Sequence, residues 1–219
     1  LVCERCWLVQ LDVFASPEEL FRDYRYFSSY STTWLAHAED YVEAMTRRGI
    51  GPGARVIEVA SNDGYLLRNF VVRGVDVLGI EPASNVAAVA REAGVPTIDA
   101  FFGIALAERV RAEFGPAHLM VANNVLAHVP DINDFVGGFA ALLAPDGVAT
   151  FEFPHLLRTL AGMQFDTIYH EHFSYLSLLA LEPLFARHGL EIVEVAELLT
   201  HGGSLRVFVA PRGSRPLHE

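Results

Sequence analysis

The sequence predicts an α/β fold in which a mostly parallel sheet ends in an antiparallel hairpin. Short β-branched runs alternate with helical stretches from residue 55 to residue 153, and this alternation implies right-handed crossovers between parallel strands. Two later runs, 191–198 and 205–210, are joined by a short connection that contains the segment 201–204. Strands joined so closely must be antiparallel. The length of 219 residues and the apolar content of 52% allow one sizeable core, so we expect one main domain with small additions.

Each element has a local signal in the sequence. Apolar residues recur with helical spacing at Trp34, Ala38, Tyr41, Val42 and Met45, which predicts an amphipathic helix with possible caps at 31–33 and an end at 49. The preceding aromatic and polar stretch, 12–31, lacks periodicity and is interpreted as a connector. After a turn at 51–53, the predicted strands are 55–59, 75–80, 97–98, 119–122 and 148–153. The predicted helices are 65–72, 85–93, 104–114, 132–143 and 178–188.

The charge balance disfavours nucleic acid and membranes as partners. The chain carries 16 basic and 27 acidic residues, a formal net charge of −11 at pH 7. A phosphate backbone or an anionic membrane surface would be repelled on average. The sequence has no apolar run that could span a bilayer and no signal-peptide pattern at its start, so we expect a cytoplasmic protein. Its oligomeric state is left open.

The two cysteines, Cys3 and Cys6, form a C-x-x-C pair. This spacing suits half of a tetrahedral zinc site and suits a redox dithiol almost as well. A structural zinc site needs two further ligands, and the chain starts at Leu1 without an initiator methionine. We therefore expect 1–12 to be the remnant of a zinc-binding module that has another cysteine pair upstream. Free thiols are the alternative.

The first candidate cofactor loop follows the strand 55–59 and contains Ala60, Ser61, Asn62, Asp63 and Gly64. Ligands of open α/β sheets bind beyond the carboxyl ends of the strands. Small residues let the backbone approach a ligand, and the following helix offers free N–H groups to a carboxylate. Ala60 and Asn62 stand where the usual E-x-G-x-G-x-G pattern has glycine. A plain strand-to-helix turn is the alternative interpretation.

Two further loops belong to the same predicted edge of the sheet. Glu81, followed by Pro82, ends the second strand about twenty residues after the first loop, where a carboxylate can accept hydrogen bonds from both hydroxyls of a ribose. Phe102 and Gly103 follow the third strand and are candidates for contact with an adenine. A place for Phe102 in the core is equally consistent with the sequence.

Asn123 and Asn124 follow the fourth strand, where the cofactor and the substrate should meet. Nicotinamide cofactors also use an acidic residue such as Glu81, so the first loops do not distinguish hydride transfer from methyl transfer. The terminal hairpin favours methyl transfer, because a dinucleotide-binding dehydrogenase would normally continue its parallel winding. We therefore predict a Rossmann-like class I methyltransferase fold with S-adenosylmethionine as the cofactor.

The densest polar cluster of the chain is Tyr169, His170, Glu171 and His172, after the fifth strand and flanked by apolar residues. Titratable groups in apolar surroundings have shifted pKa values and are candidates for general acids and bases. The alternatives are a metal-binding pair, which lacks the i, i+4 spacing and a further ligand, and a buried histidine that only stabilises the fold.

Long segments of the chain resemble one known family. The matching segments are CxxC with Gln10 shortly after it, DYRYFSSYSTTWLAHA, EVASNDGYLL, GIEPASNVA, ANNVLAHVPDINDFV, FEFPH, FDTIYHEHFSYLS and HGGSLRVFVA. They resemble the C-methyltransferases that act on carbon 3 of nucleotide-linked (TDP) 4-keto-deoxysugars in antibiotic biosynthesis. Members of that family have a zinc module with two cysteine pairs and a further C-terminal domain. The resemblance implies a connector and helix at 13–49 and a methyltransferase domain at 50–211. It also implies that 212–219 is the start of a linker, which leads to a further domain.

The resemblance implies chemistry that the residues can support. A hydrogen on carbon 3 is acidic because carbon 4 is a ketone, so a base must remove it while donors hold the enolate oxygen. His172 is the candidate base, since an unperturbed imidazole is largely neutral at pH 7. Glu171 or Tyr169 is expected to orient His172 or to bind the sugar. His128, in the loop after the fourth strand, is the candidate for supporting the enolate oxygen.

Five further residues are candidates for binding the nucleotide-linked keto-sugar. Tyr24 or Tyr26 is expected to close over the sugar from the connector. His155 ends the fifth strand and is expected either to line the pocket or to cap a helix. His201 and Ser204 belong to the glycine-flanked turn between the last two strands. Contact with sugar or phosphate and tight packing on the sheet explain this turn equally well.

Two other functions remain compatible with the sequence. One is the methylation of another small molecule at oxygen or nitrogen, which requires no carbon acid. The other is a noncatalytic protein that retains the fold. An NAD-dependent oxidoreductase is disfavoured by the terminal hairpin.

Overall fold

The computed structural model describes residues 1–12, 16–21, 24 and 26–216. In chain order its elements are β1 (Val9–Gln10), α1 (Pro17–Phe21), α2 (Thr32–Arg47), β2 (Arg55–Val59), α3 (Leu67–Val71), β3 (Asp76–Ile80), α4 (Ser84–Glu92), β4 (Thr97–Ile98), α5 (Ile104–Phe114), β5 (Ala117–Asn123), α6 (Ile132–Leu142), β6 (Leu143–Pro154), α7 (Leu156–Ala161), β7 (Ser174–Tyr175), α8 (Leu178–Arg187), β8 (Leu190–Leu198) and β9 (Ser204–Pro211). Short 3₁₀ helices lie at Ser28–Tyr30, Leu126–His128, Phe165–Thr167 and Thr200–Gly202.

Within the described residues, a seven-stranded sheet has the order β4-β3-β2-β5-β6-β9-β8. The strands from β4 to β6 are parallel to their neighbours. Strand β9 lies between β6 and β8 and is antiparallel to both. The predicted fold class, a mostly parallel sheet that ends in an antiparallel hairpin, is confirmed. Strands β1 and β7 form a small antiparallel pair that the sequence did not predict, because two residues carry no periodicity.

Both faces of the sheet are covered by helices. Alternate residues of a strand point to opposite faces: Val56 packs on the face where Tyr41 and Phe70 lie, and Ile57 packs on the face where Phe139 lies. All five side chains are at most 1% exposed. Helices α2 and α3 therefore cover one face, and α5, α6 and α8 contribute to the core on the other. The carboxyl ends of β2, β3, β5 and β6 lie together at one end of the strands, where ligands of open α/β sheets bind.

Several predicted elements differ in length from the observed ones. The helix predicted at 65–72 is shorter, because Tyr65 and Leu66 belong to the turn that leads into α3. Helix α2 begins after Ser31, whose Oγ accepts a hydrogen bond from the Trp34 N–H at 3.2 Å; this is an ordinary N-cap. The connector, predicted without regular structure, contains α1.

Parts of two predicted segments fall outside the described residues. Positions 13–15, 22, 23 and 25 belong to the predicted connector, and 217–219 belong to the predicted linker. Among the helices of the described ranges, none combines the length and the apolar character that a membrane span requires.

Candidate functional site

A cavity of about 960 Å³ opens at the carboxyl ends of the parallel strands. Its wall includes residues from the loops after β2, β3, β4 and β5, from the connector and from the segment after β6. The predicted site residues that line it are Tyr24, Tyr26, Ala60, Asn62, Glu81, Pro82, Phe102, Asn123, Asn124, His128, Tyr169, His172 and His201. The cavity therefore brings together seven of the eleven expected cofactor residues and three of the four expected catalytic residues.

The first loop presents backbone to this cavity. Ala60 and Asn62 adopt left-handed conformations, with φ of +56° and +49°, which are uncommon for non-glycine residues. Ser61, Asp63 and Gly64 do not line the cavity. Ser61 donates its N–H to the carbonyl of Ile80 at 3.2 Å, and the carboxylate of Asp63 accepts the N–H of Ser29 at 3.1 Å. These hydrogen bonds stabilise the conformation of the loop without contributing to the cavity wall.

Gly64 is required by close packing. Its φ is +76°, and a Cβ at this position would lie 2.9 Å from Cγ2 of Val95. A side chain would therefore be strained by its conformation and by its neighbour. The glycine lets the turn before α3 approach the end of α4.

Glu81 is a buried carboxyl group at the end of β3. Its two oxygens accept the backbone N–H groups of Asn62 and Ala83, each at 2.9 Å. Burial raises the pKa of Glu81 to about 7, while these two hydrogen bonds act in the opposite direction. Each carboxylate oxygen retains a lone pair for a further donor, so Glu81 can still accept a pair of hydroxyl groups.

Asn123 is the last residue of β5, Asn124 follows it, and both line the cavity. Asn124 has a left-handed backbone, with φ of +54°, and donates its N–H to the carbonyl of Glu152 at 2.7 Å. The side-chain oxygens of both asparagines are buried without a hydrogen-bond partner among the described residues. Buried acceptors of this kind are costly unless a ligand or water satisfies them.

The third loop is aromatic and tightly packed. Phe102 lines the cavity and packs edge-on against Phe135 and Phe139, with centroid distances of 5.6 Å and 5.3 Å. It is thus both a wall residue and part of the core. Gly103 does not line the cavity; its missing side chain leaves room for Asp134, which accepts the N–H of Ile104 at 3.2 Å.

His172 lies in the wall of the cavity beside Tyr169. Its Nδ1 is 2.8 Å from the carbonyl oxygen of Thr167, and its Nε2 is 2.9 Å from the hydroxyl of Tyr169. A carbonyl oxygen can only accept, so the proton of the neutral ring is on Nδ1. Nε2 is then the basic nitrogen and accepts the Tyr169 O–H. Burial lowers the pKa of His172, which favours this neutral form.

His128 packs against His172, with ring centroids 4.7 Å apart. Burial, with a smaller effect of the neighbouring His172, lowers the pKa of His128 to about 3. The His128 ring is hydrogen-bonded to the backbone of Glu171, and its Nδ1 is buried without a partner among the described residues. The ring is therefore neutral at physiological pH, with Nδ1 as a free acceptor.

Glu171 is half-buried and is not a wall residue. Its negative charge acts on two tyrosines of the site. Burial, followed by this charge, raises the pKa of Tyr24 to about 12, and the same two causes raise the pKa of Tyr169. Both phenols therefore keep their protons at neutral pH and can serve as hydrogen-bond donors.

Only one of the three other predicted substrate-binding residues lines the cavity. His201 lines the cavity and packs edge-on against Trp34 at 5.4 Å. His155 and Ser204 do not line it. The His155 N–H bonds the carbonyl of Gly203 at 3.0 Å, and the Ser204 hydroxyl bonds the carbonyl of Thr200 at 3.0 Å. Both contacts stabilise the turn before β9.

The expected zinc half-site has no support in the structure. Cys3 and Cys6 are free thiols, and the described residues contain no group of three or more histidine, cysteine or acidic side chains that could hold a metal ion. The same finding gives no support to a metal pair at His170 and His172. The spacing of two ligands is a local signal, whereas a metal site needs ligands from elsewhere in the fold.

The sequence analysis did not name every wall residue as a site residue; Trp34, Tyr65 and Gln164 are among those it missed. Trp34 was predicted only as part of the apolar face of α2. It stacks on His37 at 4.8 Å and tilts against Tyr65 at 6.0 Å. Its position at the first turn of the helix, followed by a polar residue at i+3, is the one signal that could have indicated a ligand-facing aromatic side chain.

Comparison with known proteins identifies a family and several relatives. A family model described as a methyltransferase domain matches residues 19–195. The C-methyltransferase NovU of Streptomyces niveus is 43% identical over 212 residues, which is 96% of this chain and 50% of NovU. A ubiquinone biosynthesis O-methyltransferase of Rhodopseudomonas palustris (strain HaA2) is 30% identical over 99 residues, which is 44% of this chain and 38% of that protein. The chain thus spans half the length of NovU and less of the second relative.

Solved structures share the fold. The magnesium protoporphyrin IX methyltransferase from Synechocystis, with bound S-adenosylmethionine, superposes with a TM-score of 0.60 at 13% identity, covering 80% of this chain and 78% of that chain. An S-adenosylmethionine-dependent methyltransferase from Mesorhizobium loti superposes with a TM-score of 0.62 at 15% identity, covering 80% and 99%. From the family match and these superpositions we conclude that the chain belongs to the methyltransferase domain family and has the Rossmann-like fold of S-adenosylmethionine-dependent methyltransferases.

Proposed function

We propose that this chain methylates carbon 3 of a nucleotide-linked 4-keto-deoxysugar, with S-adenosylmethionine as the methyl donor, in antibiotic biosynthesis. The observation that carries the proposal is that the basic Nε2 of a neutral histidine, His172, lies in the wall of the same cavity as Glu81. The 43% identity to a protein named C-methyltransferase supports methyl transfer to carbon.

The residues present fit the cofactor. Glu81 offers two carboxylate oxygens to the ribose, and the left-handed backbone of the first loop lets the main chain approach the methionine end. The partnerless side-chain oxygens of Asn123 and Asn124 are acceptors for its ammonium group. Bound there, S-adenosylmethionine supplies an electrophilic methyl group on a sulfonium.

His172 is proposed as the base. Thr167 fixes the tautomer by accepting the Nδ1–H, so that Nε2 takes the proton from carbon 3 while the electron pair moves toward the ketone oxygen. Tyr169 donates to Nε2 in the absence of substrate and must turn its hydroxyl to the sugar when the base acts. With the cofactor bound, the electron pair would return from the enolate oxygen through carbon 3 to form the new carbon–carbon bond, while the bond between the methyl carbon and the sulfonium sulfur would break and S-adenosylhomocysteine would leave.

Tyr24 is proposed to close over the sugar and to donate a hydrogen bond to it, because it lines the cavity and its phenol, with a pKa of about 12, keeps its proton. We expected His128 to support the enolate oxygen. Its free Nδ1 and its pKa of about 3 favour a different role. We propose that His128 accepts a hydrogen bond from a sugar hydroxyl. Because its ring stays neutral, His128 places no positive charge next to His172.

The nucleotide is proposed to lie outside this cavity. No arginine lines its described wall, and the sequence contains no lysine. The acidic residues Glu81, Asp131, Asp134 and Asp166 do line it. A diphosphate would find no cationic side chain there, so the cavity suits the sugar ring and the cofactor.

The test is a matched pair of substrates analysed by mass spectrometry. The protein is incubated with S-adenosylmethionine and either a nucleotide-linked 4-keto-6-deoxysugar or the same sugar with a 4-hydroxyl group. We expect the ketone to gain one methylene mass and the alcohol to remain unchanged, because only the ketone acidifies carbon 3. Methylation of the alcohol, or of neither sugar, would reject the proposal.

The affinity for S-adenosylmethionine should depend on the ionisation of Glu81. Its ionised form accepts the ribose hydroxyls, and burial raises its pKa to about 7 in the free protein. Affinity should therefore fall as the pH drops below 7, by about tenfold at pH 6 relative to pH 8. Isothermal titration calorimetry measures this, with Glu81→Gln as the control for groups that titrate on the cofactor. An equal pH dependence in both proteins would contradict the assignment.

Methyl transfer to oxygen is the second candidate. Its support is the 30% identity to a ubiquinone biosynthesis O-methyltransferase, which extends over 44% of this chain. An O-methyltransferase requires a hydroxyl substrate and no carbon acid, so the alcohol arm of the substrate pair tests it directly.

A further inference from the structure

The side chain of Asn62 is bonded to the connector and not to the cofactor loop that contains it. Its Oδ1 accepts the N–H of Ser28 at 2.8 Å, and its Nδ2 donates to the carbonyl of Tyr26 at 3.0 Å. One amide thus pairs with two backbone groups, as a neighbouring strand would. We call Tyr24 and residues 26–30 the aromatic segment.

A second asparagine holds the same segment in the same way. The N–H of Tyr24 donates to Oδ1 of Asn85 at 3.3 Å, and Nδ2 of Asn85 donates to the carbonyl of Tyr24 at 2.7 Å. Asn85 is the second residue of α4. The two amides therefore attach the aromatic segment to the loop after β2 and to the helix after β3.

Asn62 also contacts the candidate ribose ligand. Its own N–H donates to Glu81 at 2.9 Å. Its left-handed φ of +49° is one that asparagine tolerates better than most residues. The position is glycine in the usual loop pattern, and glycine could adopt this backbone without offering an amide. The departure from that pattern thus adds a contact between the loop and the wall tyrosines.

We propose that Asn62 and Asn85 form an amide latch that fixes Tyr24 and Tyr26 over the cavity and thereby sets the affinity for the sugar substrate. Both asparagines are positioning residues, since their side chains act through the tyrosines. The proposal rests on the proposed function for its kinetic consequence. Its structural consequence, protection of the latched backbone, is independent of the substrate.

The structural consequence is tested by hydrogen exchange in the presence of S-adenosylmethionine alone. Asn62→Gly keeps the left-handed backbone and the N–H to Glu81 but removes the amide, and Asn85→Ala removes the second one. The Ser28 N–H should exchange about tenfold faster in Asn62→Gly, and the Tyr24 N–H should do so in Asn85→Ala, because each loses its acceptor. Asn133→Ala, at the second position of α6, is the matched control. Unchanged protection in both variants would overturn the latch.

The kinetic consequence is a split between KM and kcat. Each latch variant should raise KM for the keto-sugar about tenfold and lower kcat less than threefold. Asn85→Ala, which lies outside the cofactor loop and the cavity wall, should bind S-adenosylmethionine within threefold of the wild type. In a Tyr24→Ala background, Asn85→Ala should add no further increase in KM, because the residue it positions is gone. Equal additive losses in both backgrounds, or a loss confined to cofactor affinity, would contradict the proposal.

The two failures can be told apart. If the wild-type protein does not methylate the keto-sugar, the proposed function fails, and the exchange experiment still decides the latch. If turnover occurs but exchange and KM are insensitive to both asparagines, the latch fails while the proposed function stands.

Discussion

Replacing His172 by asparagine is expected to lower kcat for the keto-sugar by about 10²- to 10⁴-fold, the usual contribution of a positioned base. The side-chain amide can still donate to the carbonyl of Thr167, which the ring contacts at 2.8 Å. It offers no basic nitrogen at the position of Nε2. Steady-state kinetics at saturating S-adenosylmethionine measure the change, and calorimetry should find cofactor affinity within threefold of the wild type.

His188→Asn is the matched control for this variant. His188 directly follows α8 and does not line the cavity, so its replacement should leave kcat unchanged. The wild-type rate should also rise with pH along an acid limb whose apparent pKa is below 6.5, since burial lowers the pKa of His172 and the neutral ring is the active form. A fully active His172→Asn protein would remove this residue as the base.

Replacing Glu81 by glutamine is expected to weaken S-adenosylmethionine binding by about 100-fold. Hydrogen bonds to a charged acceptor are worth about 1.5–3 kcal/mol each, and the amide can no longer accept from both ribose hydroxyls. The glutamine Nε2–H₂ would also face one of the backbone N–H groups, of Asn62 or Ala83, that the carboxylate accepts at 2.9 Å. Calorimetric titration measures the loss.

Asp76→Asn is the control for charge alone. Asp76 is exposed at the opposite end of the same strand, β3, so its replacement removes one negative charge without touching the cavity. Cofactor affinity should be unchanged in Asp76→Asn. If the two variants bind S-adenosylmethionine equally well, Glu81 is not the ribose ligand.

The fold was accessible from the sequence because its signals are local. The helix 104–114 was predicted with the bounds that the structure has, and β2 and β4 likewise. The last strands were predicted as a hairpin because so short a connection leaves no room for a crossover. The pair of β1 and β7 was missed, because its partners are far apart in sequence and only tertiary contacts define it.

The site was accessible in part. Glu81, Asn123 and Asn124 were found from their positions after strands, since strand ends in a parallel sheet share one edge. The tautomer of His172 could not be predicted, because it depends on the carbonyl of Thr167. The role of the Asn62 side chain likewise depends on backbone groups 34 and 36 residues away in sequence.

Motifs taken alone gave less reliable predictions. The pair Cys3 and Cys6 has ligand spacing, but the described residues supply no further ligands to complete a site. His155 directly follows β6 and is the N-cap residue of α7, without a side-chain cap hydrogen bond; its backbone bonds the turn before β9, and it stays out of the cavity wall. Both cases need information on which side chains meet in space.

The most direct test of the account is the atom that receives the methyl group. The protein is incubated with the keto-sugar nucleotide and S-adenosylmethionine labelled with ¹³C at the methyl, and the product is analysed by two-dimensional NMR. We predict that the labelled methyl group is bonded to carbon 3, next to the ketone. Its protons should therefore correlate with carbon 3 and with the ketone carbon. A label bonded to oxygen or nitrogen would contradict the proposed carbanion chemistry and the role of His172.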